Sequence, residues 1–415
     1  MAKTRLLHSS PASPRLSLFG ASALGVASML GAGIFVVFAP AAELSGSFLF
    51  VSIAIAGVVA AINASSMMHL SKALPKAGGA YAFGKAYLSE NWGFLAGIAF
   101  IVGKIGSVAA IALAAASYIY PSAKVEVAFA SLAFMTCINL LGINRTALGA
   151  IVLSAPTVAL LLLVGFSGLQ FVAVEQQSQS SIAGVLPAAA LIFFAFAGYA
   201  RVATLGPEVE KPSMNIPRAI TLSLAFVIAI YFLVANALQA NLGKALQVSV
   251  APMQDYATIA LPWLPIELIS VIAATSCLGS LLSLLAGISR TAEAMAGDGE
   301  IPNVIRLRSK RFNSPWVADL AILAISGALL LFGDLTWAIG ISSFCVLVYY
   351  AIANMAAFRQ LPTERVLAKA LSLSGVALCL GVGLFVPIES LVVSALALGI
   401  SMAFRASLIK IRHSS

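Results

Sequence analysis

The feature that most limits what this chain can fold into is the recurrence, along all 415 residues, of apolar stretches almost free of charge. A bilayer core about 30 Å thick takes roughly 20 apolar residues per helical crossing. Segments that meet this requirement are expected at 17–40, 48–70, 92–119, 124–142, 147–173, 182–204, 217–240, 264–289, 316–333, 335–357, 369–386 and 389–405. The chain is 61% hydrophobic and 9% charged, whereas a soluble domain is about half apolar and a quarter charged. The expected fold is therefore an all-α membrane protein of about twelve transmembrane helices, with no room for a sizeable soluble domain. Lys3, Arg5 and Arg15 precede the first apolar segment, as in a secretory signal, but no small-residue cleavage site closes a short apolar core. Residues 1–16 are read as a tail before the first crossing.

A formal net charge of +9 raises the question of a polyanionic partner. On the twelve-crossing scheme every Lys and Arg except Lys104, Lys124 and Lys244 falls at the termini or in connections on the same side as the termini. Lys and Arg accumulate in cytoplasmic loops, whereas Asp and Glu carry little topological signal; accordingly Glu43, Glu126, Glu175, Asp255, Glu267, Asp334 and Glu389 fall on the opposite side. Both termini, including the tail 406–415, are expected in the cytoplasm and the protein in the cytoplasmic membrane. The basic balance needs no nucleic acid. Cys137, Cys277, Cys345 and Cys379 each lie in an apolar stretch without CxxC spacing or a neighbouring His, which suggests neither a disulfide framework nor a metal site.

Two crossings carry helix breakers at their centres, Gly31-Ala32-Gly33 in the first and Phe194-Ala195-Phe196-Ala197-Gly198 in the sixth. Small residues also let transmembrane helices pack closely. The breaks, however, lie five crossings apart, so corresponding segments run in opposite directions, as an inverted-topology repeat requires, and interrupted helices in matched positions point to a transporter's binding site.

The stretch from Gly79 to Ala86 approaches the phosphate-loop pattern GxxxxGK[ST], but Ala86 replaces the Mg²⁺-ligating hydroxyl and no strand precedes it. Neither a GxSxG elbow nor an HExxH helix occurs. No cofactor and no enzymatic activity are expected.

Four segments resemble the amino acid-polyamine-organocation superfamily of permeases. They are Gly31-Ala32-Gly33-Ile34-Phe35, then Pro75-Lys76-Ala77-Gly78-Gly79-Ala80-Tyr81, then Phe193 to Tyr199 followed by Pro207 to Pro212 and Ile216 to Ile220, and last Ser289-Arg290 with Met295 to Pro302. The resemblance implies a five-plus-five inverted repeat with broken helices one and six, here 17–173 and 182–358, and two further helices at 369–405. It also implies an amino acid bound between the breaks. The physics agrees: amides freed at a helix start suit a carboxylate, and carbonyls freed at a helix end suit an ammonium, so a zwitterion satisfies groups costly to leave unpaired in lipid.

Carried onto this sequence, the resemblance has Ala32, Gly33 and Ile34 offer amides to the substrate carboxylate. Met29, Phe194 and Ala197 offer carbonyls to its amine next to Gly198, and Phe194 supplies an aromatic gate. Ala32 departs from the common Ser, and Arg201 lies where many members carry an acid; the competing reading of Arg201 is snorkelling to the interface. Ser276, Ser280 and Ser283 are candidates for a sodium-like site, against the reading that they bond their own backbone. Sodium is the less favoured coupling ion and the proton the more favoured.

Lys104 lies well inside the third crossing, where a cation costs about 2.5–3.5 kcal/mol on insertion scales and marks function by default. It is the coupling candidate, exchanging a proton during the cycle; the alternatives are pairing with an acidic substrate side chain and a purely structural role. The expected activity is secondary transport of amino acids by alternating access, proton-coupled or by exchange. Neutral substrates are favoured because no acidic side chain lies near either break; acidic amino acids or amines, or a transporter-like channel or sensor, are the alternatives.

Overall fold

A computed structural model of the chain describes residues 16–74, 78–141, 147–169, 181–199, 202, 209–312 and 314–414. Most of the expected N-terminal tail, Pro75 to Ala77, Arg145, Arg201 and the Pro207-Glu208 pair lie outside the described residues. The helices, in chain order, are α1 (Leu18–Met29), α2 (Gly33–Val36), α3 (Phe38–Ser45), α4 (Leu49–Ala73), α5 (Ala80–Tyr87), α6 (Glu90–Ile119), α7 (Lys124–Leu140), α8 (Ala147–Ser167) and α9 (Val185–Phe196). They continue as α10 (Pro212–Leu242), α11 (Ala245–Val248), α12 (Pro252–Ala260), α13 (Ile266–Gly297), α14 (Trp316–Phe332), α15 (Leu335–Gln360), α16 (Val366–Gly383) and α17 (Ile388–Ser414). No strand forms among the described residues; a single parallel bridge pairs Leu16 with Val209.

Nine helical stretches among the described residues are long and apolar enough to cross a membrane. Three shorter apolar helices, Ser154–Ser167, Val185–Phe196 and Trp316–Phe332, fall in the remaining expected segments. The protein is thus an all-helical, multi-pass membrane protein, as the apolar runs require. Two differences stand out. The connection before α6 contains α5, a two-turn helix, and α17 runs through the expected tail as far as Ser414.

Local chemistry sets the helix ends. Ser17, Ser89 and Asp334 cap α1, α6 and α15 by accepting from the N–H groups of Gly20, Trp92 and Trp337, and Pro212 and Pro252 open α10 and α12 where a missing N–H costs nothing. At 30 residues, α6 is about 45 Å long at 1.5 Å per residue. Exposed Trp92 and Tyr120 at its two ends fit the aromatic belts of membrane interfaces.

Between Gly103 and Tyr118 α6 is buried on every side, which makes it the central helix of the bundle. Small residues permit this. A Cβ at Gly103 would lie 2.9 Å from Cys345 Cβ, and one at Gly106 3.0 Å from Ser342 N, both on α15; Ser107 and Ser342 share a 2.6 Å hydroxyl hydrogen bond across the same seam. Lipid offers no hydrophobic gain on helix association, so close packing and such polar contacts hold the bundle together.

Candidate functional site at two broken helices

The first break is real and short. Leu30 N–H still closes onto the Val26 carbonyl (2.8 Å), Leu30 to Ala32 leave the helix, and α2 restarts with Phe35 N–H on the Ala32 carbonyl (3.1 Å). The N–H groups of Ala32, Gly33 and Ile34 are therefore first-turn groups with no intrahelical acceptor, and these residues are buried. The break in α9 follows Phe196, where Ala197 to Tyr199 form a turn and the Ala197 N–H folds back onto the Phe194 carbonyl (3.3 Å).

The fold brings the two breaks into contact. A Cβ at Gly33 would sit 2.7 Å from Ala195 Cα, and a Cβ at Gly198 would sit 2.1 Å from the Ser28 carbonyl oxygen. Both glycines are thus required for backbone to approach backbone, a reason different from room for a ligand. Tyr231 of α10 ties the pair: its hydroxyl donates toward the Met29 carbonyl (3.1 Å) and the Ala195 carbonyl (2.8 Å), with its ring packed on Phe196 and Phe38. Each carbonyl has two lone pairs, so Met29 can still accept from an ammonium. Sequence reasoning missed Tyr231. The available signal was a tyrosine within an apolar run, since a buried hydroxyl in lipid needs a partner.

The other expected residues divide. Ser276 of α13 donates to the Leu30 carbonyl (3.4 Å), and Ser280 lies against Gly31, where a Cβ would fall 2.2 Å from its Oγ. Ser283 is exposed, and no hydrogen bond among the described residues joins it to the break; the three serines do not converge. Phe194 and Ala197 are buried beside the turn, and Gly198 is partly exposed.

Lys104 is 8% exposed. Among the described residues its ammonium has neither an ion pair nor a hydrogen bond; its contact is the Phe100 ring, 5.9 Å away. From Phe100 a run of rings continues through Tyr349 (5.5 Å) and Tyr350 (5.2 Å) to Tyr199 (5.2 Å) and Phe193 (6.0 Å), so Lys104 is joined by packed aromatics to the broken end of α9.

Two of the motif segments meet elsewhere, at the end of the bundle where α5 lies. Tyr81 donates to Asp298 (2.5 Å), and Lys85 lies 3.0 Å from Glu90, 3.1 Å from Asp298 and 3.5 Å from Glu300. Arg405 of α17 donates to both Glu300 oxygens (2.6 and 3.3 Å) and to Asn91, over the Phe94 ring. Gly79 adopts φ +55° and leaves no room for a Cβ beside the Tyr349 hydroxyl, which accepts from Ala80 N–H (2.9 Å). Burial works against the Lys85 ammonium, yet hydrogen bonds to Glu90 and Asp298 hold it above its ordinary range, and the Tyr81 hydroxyl holds the Asp298 carboxyl below its own. The segments Gly79 to Tyr81 and Asp298 to Glu300 therefore form a clasp rather than part of the site at the breaks.

Residues 16–406 match the sequence model of a family described as amino acid permease. The chain is 40% identical to an uncharacterized transporter of Mycobacterium tuberculosis (strain ATCC 25618 / H37Rv) over 94% of its own length and 90% of the relative's. It is 23% identical to cationic amino acid transporter 7, chloroplastic, of Arabidopsis thaliana, covering 88% and 68%. Its fold is similar to that of MhsT, solved in complex with L-phenylalanine, with a TM-score of 0.63 at 14% identity over 91% of this chain and 99% of that one. The fold and these relatives define a multi-pass membrane transporter. The chain belongs to the amino acid permease family, within the amino acid-polyamine-organocation superfamily.

Proposed function

We propose that this chain is a secondary transporter that carries amino acids across the cytoplasmic membrane by alternating access, without covalent chemistry. One observation carries the reading: two interrupted helices abut inside an apolar bundle, one presenting unbonded amides and the other a turn with carbonyl oxygens. An α-amino acid supplies both complements at once. In this reading Ala32, Gly33 and Ile34 bind the carboxylate, Met29 and Ala197 the amine, and Phe194 closes over the ligand. The Phe194 carbonyl accepts from Ala197 N–H and the Met29 carbonyl from Tyr231, so each keeps one lone pair for the ammonium.

Residues 17–173 and 182–358 form the two inverted repeats, 369–405 the added helices, and both termini face the cytoplasm. Substrates with a cationic side chain are disfavoured, because among the described residues no acidic side chain lies at either break and Lys104 brings positive charge to the bundle interior. The cycle is driven by the proton gradient or runs as exchange, with Lys104 as the coupling residue. Ser276 and Ser280, without Ser283, supply too few oxygens for a sodium site by themselves.

The purified full-length protein in proteoliposomes, given a panel of labelled amino acids under imposed pH and sodium gradients, tests the proposal. Accumulation of a panel member that follows the proton gradient, or counterflow without one, is expected. Absence of flux for every member would refute it.

A further inference from the structure

The connection between α13 and α14 differs from an ordinary solvated loop. From Ile301 to Val317 it carries Arg306, Arg308, Lys310 and Arg311 and no Asp or Glu. All four cations are exposed, and set among them are Val304, Leu307, Phe312 and Trp316, between 39 and 50% exposed. The segment is held in place. Asn303–Arg306 form a 3-10 turn, Ser309 N–H donates to the Ser314 carbonyl (2.9 Å), and Ser314 Oγ donates to the Leu140 carbonyl at the end of α7 (2.7 Å). Arg308 grips Glu293 of α13 through two hydrogen bonds (2.5 and 2.7 Å). Glu293 also lies in the field of Arg290 and Arg306, so one carboxylate faces three guanidinium groups. Among the described residues Arg306, Lys310 and Arg311 form no ion pair; Arg311 lies over the Phe312 ring, 5.1 Å away.

From these exposed, unneutralised cations set among exposed apolar side chains, we infer that the connection between α13 and α14 is a docking surface for anionic phospholipid headgroups. A free anion would neutralise the cations and leave Leu307 and Phe312 in water, whereas a lipid leaflet offers phosphate and acyl chain together. The position of the segment fits. Trp316 and Leu320, one turn apart and both exposed, begin the outward face of α14, so the connection meets the bundle at the level of an aromatic belt. The cations precede Trp316 by five to ten residues, and basic segments beside a crossing attract an anionic leaflet. Guanidinium groups pair with phosphate through two parallel hydrogen bonds. An acidic protein face would match the charges, but the acyl phase is already present at Trp316. Just before these cations lie Asp298 and Glu300, which the clasp holds through Tyr81, Lys85 and Arg405. A lipid bound between Arg306 and Arg311 restrains the same segment from its other side and so stabilises the clasp, whichever substrate is carried.

The test titrates the purified full-length protein, in a non-ionic detergent, with phosphatidylglycerol, with phosphatidylcholine of the same acyl chains, or with inorganic phosphate. The unfolding temperature and the lipids retained in native mass spectra are read. Phosphatidylglycerol should act at a concentration about tenfold or more below that of phosphatidylcholine, and the preference should shrink as salt is raised. The combined variant Arg306→Gln, Lys310→Gln and Arg311→Gln, which spares Arg308, should lose the preference. Lys72→Gln, Arg359→Gln and Arg365→Gln together remove three exposed cations from other connections and should keep it. Leu307→Ser with Phe312→Ser leaves every cation in place and should still weaken the binding of phosphatidylglycerol. Equal action of the two lipids on the wild type would overturn the inference and return the surface to an acidic protein partner. Loss of the preference in the control triple would overturn it too, as an effect of net charge alone, and so would a shift by phosphate as large as that by phosphatidylglycerol, which marks a free-anion site.

Discussion

Gly33→Ala probes the junction of the two breaks with the smallest possible change. A Cβ there meets Ala195 Cα at 2.7 Å and Ala195 Cβ at 2.8 Å. An ordinary contact begins near 3.4 Å, so the helices must part by about 0.7 Å (3.4 − 2.7), and the obstacle is backbone, with no flexible side chain to move aside. Overpacking of this kind costs about 1–3 kcal/mol. The same displacement stretches the bridge from Tyr231, now at 3.1 Å to Met29 and 2.8 Å to Ala195, and loss of one such bond costs about 0.5–1.5 kcal/mol more. Together these predict a loss of roughly 1.5–4.5 kcal/mol, with substrate affinity weakened because the amides and carbonyls that must grip one ligand are displaced. Thermal unfolding in detergent and substrate binding by the purified variant measure both. Gly381→Ala and Gly399→Ala are the controls, since a Cβ at either meets nothing within 4 Å. Should Gly33→Ala unfold and bind as these controls do, the abutment of the breaks is not what holds the site.

Tyr231→Phe keeps the ring against Phe196 and Phe38 but strips a donor from two buried carbonyls; about 1–3 kcal/mol of stability should go, and substrate affinity measured in the same preparation should fall. Arg405→Gln removes the nearer of two cations on buried Glu300 and leaves Lys85 at 3.5 Å, so a loss of about 1–3 kcal/mol is expected, read as a lower unfolding temperature; Lys85→Met should cost less, because Glu300 keeps Arg405 and the other partners, Glu90 and Asp298, are exposed. The sign of the clasp's pH dependence follows from its two shifted groups. Asp298, held below its ordinary range, contributes stability that is present above the unfolded carboxyl value of about 3.9 and lost as the pH falls through its folded value; Lys85, held above its range, contributes below about 10.4 and loses it in stronger alkali. The stability difference between wild type and Lys85→Met should therefore stay flat between about pH 5 and 9, and a slope at neutral pH would contradict the assignment. Reporters fused at Ser415 and in the loop containing Lys244 should report opposite sides of the membrane, with Ser415 cytoplasmic.

Much of this architecture is legible without coordinates. Apolar runs of about twenty residues leave lipid as the only solvent, and the lipid in turn leaves the helix as the way to close every backbone bond within a segment. Gly31-Ala32-Gly33 and Ala197-Gly198 mark the interruptions, because glycine and small residues sit where a helix is hardest to continue. The lone cation at Lys104 stands out for the same reason, its cost in an apolar run. What lies across from each of these residues is not in the string. That Gly33 faces Ala195 and Gly198 faces Ser28, that one hydroxyl from Tyr231 serves both breaks, and that Ser276 and Ser280 reach the first break while Ser283 does not are all set by helix rotation and tilt. The same holds for Tyr81 and Asp298, 217 positions apart, and for Glu300 and Arg405, 105 apart. Sequence alone determined which segments enter the membrane, where two of them break and where an internal charge must be accounted for, because these follow from the cost of exposing polar groups to hydrocarbon. Which groups meet was decided only by the tertiary structure, because contacts between helices depend on how close their backbones can pack, and a single Cβ at Gly33 or Gly198 would change that distance.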